Sequence, residues 1–270
     1  MGGAFLLFSA FVGEAAANNS PSFCMLCTGF RIPVRCYHEM ARAVSADAVF
    51  GDENQTLSIG HSARELEKLI MQKSSSERSF FLAGHSRGGA VATLAALATT
   101  ETRKRVSGLI LVDPVDDELR TVQTALLLAE SNYTLEFPIL VISTPFAGMS
   151  SYYKTPYKSV CAPDGRGPNS FCSALKPRAR ASLTLVTLPS LGHLSLLSSG
   201  IESLPIAHIC GDAVNSNRLV AKDSYILKRA TLDLLSTFKE GRSIKSKLTE
   251  LRQIDDDTTI SSFTTQGGGD

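Results

Sequence analysis

Short apolar runs alternate with segments of helical period along most of the chain. The first run, Phe23–Cys27, breaks at Thr28-Gly29-Phe30, as a strand does when it enters a loop. Residues 36–44 space their apolar positions as a helix does, and Ala48-Val49-Phe50 reads as a short strand. Residues 62–71 open with Ser62, followed three residues later by Glu65, the arrangement of a capping box at a helix start. After a turn at residues 74–78, Phe80-Phe81-Leu82-Ala83 runs straight into Gly84-His85-Ser86-Arg87-Gly88-Gly89. Small apolar residues then continue at helical spacing through Leu97. Further strands are predicted at residues 106–112, 137–142 and 183–188. Helical character is predicted at 119–129, and an amphipathic helix at 223–238. The alternation of strands with helices predicts an α/β fold, a mostly parallel central sheet with helices on both faces.

Residues outside this pattern set the domain limits. Residues 1–21 hold an apolar run, Ala4 to Val12, before Ala15-Ala16-Ala17. They read either as a targeting leader, although the start lacks positive charge, or as an N-terminal strand. Residues 22–240 are the predicted α/β domain, with its first strands shortened or missing before Phe23. Residues 144–180 form a long loop rich in Pro, Gly, Ser and Tyr, of the kind that usually has a function or is disordered. Residues 241–270 are predicted to be a helix end and a polar tail, disordered from Asp255 onward.

Composition narrows the function. A chain of 270 residues, 43% of them hydrophobic, can bury the core of such a domain. A net charge of +1 removes the electrostatic case for nucleic acid. No stretch approaches the roughly 20 apolar residues that span a bilayer. Six cysteines are present. Cys24 and Cys27 form a C-x-x-C inside an apolar run with no second pair at zinc spacing, so two buried strand thiols are expected. Cys161 and Cys172 flank a Pro/Gly-rich stretch and would pair only in an oxidising compartment.

The candidate chemistry centres on Ser86. Strand, G-x-S-x-G turn and small-residue helix together make a nucleophile elbow. The turn lifts the hydroxyl clear of the backbone and aims the Arg87 N–H at any oxyanion formed there. A serine nucleophile needs a base and an orienting acid, in chain order Ser, Asp or Glu, His on this fold. Of the five histidines, His38, His61 and His85 precede Ser86, and His208 lies in an apolar setting. His193 follows a strand and a glycine and is the expected base. The strand at 137–142 runs into Ser143-Thr144-Pro145 with no carboxylate. The acid is therefore expected at the preceding strand end, at Asp113, with Asp116 second and Asp164 third. The loop at Thr28-Gly29 is expected to supply a second oxyanion donor, the Phe30 N–H. No metal or cofactor is called for.

Four segments occur together in order: GHSRGG (84–89), LVDPVD (111–116), CAPDG (161–165) with Cys172 after it, and LGHLSLL (191–197). Over residues 22–240 the chain resembles chlorophyllase, the plant and algal esterase that removes phytol from chlorophyll. The resemblance implies Ser86, Asp113 and His193 as catalytic residues and favours Asp113 over Asp116. It implies a lipophilic ester substrate, chlorophyll, whose magnesium belongs to the substrate. It also implies a plastid setting and peripheral contact with the thylakoid or another membrane. Ser9-Ala10-Phe11 resembles the junction of plastid leaders in algae with secondary plastids. Phe146, Tyr152, Tyr153 and Phe171 are the expected substrate lining, with loop packing as the alternative. The chain departs from the family pattern at Thr28-Gly29, where such enzymes have His-Gly, and at Ser195, where Asp is frequent. Those departures keep two alternatives open: an esterase or lipase of the same fold acting on another lipophilic ester, or a catalytically weak hydrolase-like binding protein. Oligomeric state is not legible.

Overall fold

In the computed structural model, which describes residues 22–29, 32–51, 58–73, 79–115, 133–144, 175–198 and 221–264, the apolar runs become strands. These are β1 (Phe23–Cys27), β2 (Ala48–Phe50), β3 (Phe80–His85), β4 (Val106–Val112), β5 (Ile139–Ser143), β6 (Ser182–Thr187) and β7 (Thr259–Thr264). They form one seven-stranded sheet in the order β2-β1-β3-β4-β5-β6-β7. All neighbours are parallel except β6 and β7. From β1 the chain first moves outward to β2, then crosses back to β3 and continues the other way. The crevice at the C-terminal ends of β1 and β3 is therefore a topological switch point, where open α/β sheets bind their ligands.

Among the described residues the helices are α1 (His38–Ala43), α2 (Ile59–Lys73), α3 (Arg87–Leu97), α4 (Thr100–Arg105), α5 (Ala221–Lys239) and α6 (Lys245–Ile254). Two apolar cores lie on opposite faces of the sheet. On one, Met40, Leu227, Leu234 and Leu251 pack against Leu26, Ile110 and Ile142. On the other, Leu66, Ile70, Ala92 and Ala96 pack against Met25, Leu82 and Leu111. Successive residues of β4 alternate between the two, as the strand period of two requires. Both faces of the central strands are covered, which is why they read as unbroken apolar runs.

The same period separates Cys24 from Cys27. Three residues apart on a strand, they enter opposite cores. Both are free buried thiols, as expected from their apolar run, and they cannot converge on one metal. Burial pushes the Cys24 thiol up to about 12.

Three expectations are corrected. The tail from Asp255 was expected to be disordered, and the domain to end at 240. Instead α6 and β7 extend the ordered fold to Thr264, and β7 pairs along all of β6. Thr259–Thr264 is of mixed polarity, as an edge strand with one rim in water can be. The helix expected at 62–71 begins at Ile59, and its cap is Ser58, whose Oγ accepts from the His61 N–H at 3.2 Å. Ser62 lies inside the helix and is buried, and Glu65 pairs with Lys68 at 2.7 Å. The segment that includes 144–180 is not loop throughout: Lys176–Arg178 is a 3-10 turn, and Leu135 bridges Ala179. The helical character expected at 119–129 lies outside the described residues. Among those described, no helix is long and apolar enough to cross a membrane.

Candidate active site

Ser86 sits between β3 and α3 with φ 56° and ψ −130°, a conformation that L residues rarely adopt. Backbone bonds from both sides hold it there. Its N–H donates to Val112 O at 2.9 Å, and its carbonyl accepts from Gly89 N–H at 2.9 Å and Val115 N–H at 3.1 Å. The glycines of the turn permit the close approach. A Cβ on Gly84 would stand 2.4 Å from Gly88 O, and one on Gly88 would stand 2.3 Å from Cys27 O. The elbow therefore rests against the end of β1, and the helix N-terminus that begins with Arg87 faces the switch point.

The other strand ends add to it in order. Asp113 follows β4 with φ 42°, and its N–H donates to Ile142 O at 2.8 Å, which ties it to β5. Thr144 follows β5 and donates twice to that carboxylate: its N–H to Oδ1 at 2.5 Å and its hydroxyl to Oδ2. His193 follows β6, and its Nδ1 lies 3.4 Å from Asp113 Oδ2. Both side chains are about 1% exposed, so bulk solvent screens the pair little. Burial pushes the Asp113 carboxyl above the ordinary range, while the Thr144 donors pull it back. Burial pushes the His193 imidazole below its ordinary value, toward the neutral form that can accept a proton.

The loop after β1 comes in from the other side. Thr28 N–H donates to Phe50 O at 3.0 Å, and the Thr28 side chain lies over Gly51. Gly29 stands directly against Ser86, because a Cβ there would fall 2.9 Å from Ser86 Cβ. Its N–H donates to the Tyr37 hydroxyl at 2.6 Å.

Ser86 and Arg87, expected from the elbow, and Asp113 and His193, expected from strand ends, thus lie along one rim of the sheet. Phe30, Phe146, Tyr152, Tyr153 and Phe171 lie outside the described residues, as do Asp116, Asp164, His208, Cys161 and Cys172. Three contributors were not anticipated: Thr144, Tyr37 and His85. Thr144 stood at the strand end where a carboxylate was sought, and it serves the carboxylate of the neighbouring strand instead. His85, the neighbour of Ser86 in the elbow, has a fully buried ring. Of the remaining histidines, His38 Nδ1 lies 2.6 Å from Ser198 Oγ, and His61 pairs with Glu65 at 3.8 Å. Among the described residues no group of His, Cys, Asp and Glu could hold a metal ion.

No curated protein matches the chain. Among solved structures, Est1E from Butyrivibrio proteoclasticus with ferulic acid aligns at 13% identity over 73% of this chain and 90% of that one, with a TM-score of 0.43. A chain of the metagenome-derived lipolytic enzymes LipS and LipT aligns at 11% identity over 68% and 89%, with a TM-score of 0.41. Aspergillus fumigatus lipase B aligns at 16% identity and a TM-score of 0.37, over 51% of this chain and 40% of the lipase. The cutinase-like protein from Cryptococcus is covered over 57% of its length. The family model described as Chlorophyllase matches residues 58–263, from the cap of α2 to the last strand, and so takes in Ser86, Asp113 and His193. With that match spanning most of the sheet that carries the site, the chain belongs to the chlorophyllase family.

Proposed function

We propose that the protein hydrolyses chlorophyll to chlorophyllide and phytol through a Ser86–His193–Asp113 triad. The carrying observation is the buried Asp113–His193 pair at 3.4 Å on the strand ends beside a strained Ser86. His193 takes the Ser86 proton as the hydroxyl attacks the ester carbonyl. Asp113 fixes the imidazole tautomer and stabilises the imidazolium. The Arg87 and Phe30 N–H groups hold the oxyanion. Protonated by His193, phytol leaves, and a water activated by the same histidine releases chlorophyllide from the acyl-enzyme. We assign binding of the macrocycle and its tail to Phe146, Tyr152, Tyr153 and Phe171, with a membrane surface as the source of the substrate. A plastid setting fits that substrate. A reporter carrying residues 1–21 and imaged in algal cells tests it, and a diffuse signal would count against a leader there.

The chlorophyll assignment rests on the family match. Purified protein incubated with chlorophyll a should release chlorophyllide, read by chromatography, and Ser86→Ala should lower turnover by about 10³-fold or more. Thr28, where such enzymes carry histidine, favours a second reading, an esterase acting on another lipophilic ester. Hydrolysis of 4-nitrophenyl butyrate without chlorophyllide formation would select it. Failure of a fluorophosphonate to label Ser86 would remove both readings in favour of a binding protein.

A further inference from the structure

The ring of His85 is fully buried, and both of its nitrogens are engaged. Nε2 lies 2.8 Å from the carbonyl oxygen of His193, and Nδ1 lies 2.9 Å from the Tyr37 hydroxyl. A carbonyl can only accept, so Nε2 carries the hydrogen. Burial drives His85 down to about 3, so the ring is neutral and Nδ1 is an acceptor. The Tyr37 hydroxyl must then donate to Nδ1, which leaves its oxygen free to accept from Gly29 N–H at 2.6 Å. Every donor has one direction: Gly29 N–H to Tyr37, Tyr37 O–H to His85, His85 Nε2–H to His193 O. The chain starts at the loop over Ser86 and ends on the backbone of the proposed base.

We infer that Tyr37 and His85 are positioning residues, a buried relay that sets the spacing between the Gly29 loop and the His193 loop on either side of Ser86. Gly29 is seated against all three partners. A Cβ there would fall 2.9 Å from Ser86 Cβ, 3.0 Å from Tyr37 Oη and 3.1 Å from His85 Nδ1. A shift of Tyr37 or His85 therefore moves the oxyanion loop relative to the nucleophile. The rings of His85 and His193 also lie with centroids 4.7 Å apart, so the base cannot tilt independently. The far end of the base loop is held by the same segment that carries Tyr37. Ser198 N–H donates to Cys36 O at 2.8 Å, and Ser198 Oγ lies 2.6 Å from His38 Nδ1. Misplacement of reacting groups by even about 1 Å can cost about 100-fold in rate, so such a brace has a catalytic consequence without touching substrate.

The inference rests on Ser86 as nucleophile and His193 as base, and the test separates the two. Turnover of 4-nitrophenyl butyrate by the full chain is measured per active site, counted by fluorophosphonate labelling, for Tyr37→Phe, His85→Gln and His85→Ala, and per mole of folded protein for Ser86→Ala, which has no hydroxyl to label. Ser86→Ala turning over at the wild-type rate would sink the triad itself. With the triad intact, Tyr37→Phe should lower kcat about 10- to 100-fold while KM stays within about two-fold. His85→Gln keeps an amide N–H able to reach His193 O, and should retain at least about ten-fold more kcat than His85→Ala. Wild-type kcat in Tyr37→Phe, or equal kcat in the Gln and Ala variants, overturns the relay, because a merely structural pair would lower the melting temperature and leave kcat per site unchanged. One measurement needs no variant. Long-range proton–nitrogen spectra of the native enzyme should show His85 protonated at Nε2 and bare at Nδ1, and the opposite tautomer refutes the relay.

Discussion

Thr144 is the residue whose role was least visible in the sequence. Its two donors are the groups that hold charge on Asp113 against burial. Thr144→Val keeps the backbone donor and the side-chain volume but loses the hydroxyl. Leaving a buried carboxylate short of one charge-assisted bond costs about 1–3 kcal/mol. The expected result is a fall of about ten-fold or more in kcat/KM with 4-nitrophenyl butyrate. The pH profile should move as well. In the proposed mechanism Asp113 and His193 titrate as a pair, and activity needs the form with neither extra proton. Losing a donor to the carboxylate raises the pH at which the pair gains its proton, so the acid limb of kcat/KM should shift to higher pH. An unmoved limb would mean that the Thr144 hydroxyl does not bear on the titration of the Asp113 carboxylate. No rule of spacing could have pointed to Thr144, Tyr37 or His85. Each acts across strands or across the rim, and its partner is set by sheet order and not by sequence neighbours. Ser86 and Asp113 could be picked out because each stands where an apolar run stops, and His193 because it follows the loop after such a run.

At the scale of elements, the buried strands were legible for a physical reason. Phe23–Cys27 and Val106–Val112 are covered on both faces, so their composition is continuously apolar. Thr259–Thr264 carries no such mark, being an edge strand of mixed polarity, and was read as tail. The capping serine was misplaced for a related reason: Ser62 and Glu65 have the right spacing, but Ser62 is buried between helices, where its Oγ accepts from Arg87 at 3.5 Å. Two predictions belong here. Removing residues 255–270 exposes the rim of β6 and should lower the melting temperature and promote association, read by light scattering. An unchanged, monodisperse protein would mean that β7 adds nothing to the sheet. Gly88→Ala brings a Cβ against the carbonyls at the end of β1, so α3 must retreat from the switch point. Stability should fall by roughly 1–3 kcal/mol, and Ser86 labelling by a fluorophosphonate should be largely lost. Wild-type labelling in that variant would show that the seat of the elbow tolerates displacement.

At the scale of the whole molecule, three buried groups tie stability to pH. His85 and His193 are held down to about 3 from an ordinary 6.5, and Asp113 is held up to about 7 from 3.8. Unfolding therefore lets both histidines take up protons that the buried rings refuse, so their contribution to stability is lost as pH drops through the ordinary histidine range. His85→Gln removes one of the two histidines and should flatten that fall, read as melting temperature against pH. An equal slope in the variant would mean that His85 is not held neutral. The hydrogen bonds of the Tyr37–His85 chain also carry a kinetic consequence. Their sequence separations are 8 for Gly29–Tyr37, 48 for Tyr37–His85 and 108 for His85–His193. Longer loops close at greater entropic cost, so the brace assembles from its short end, and the link to the base forms last. During refolding from denaturant, far-UV signal should return first. Ester turnover should return in a later phase, when the 108-residue separation is closed and the two halves of the sheet come to share one site.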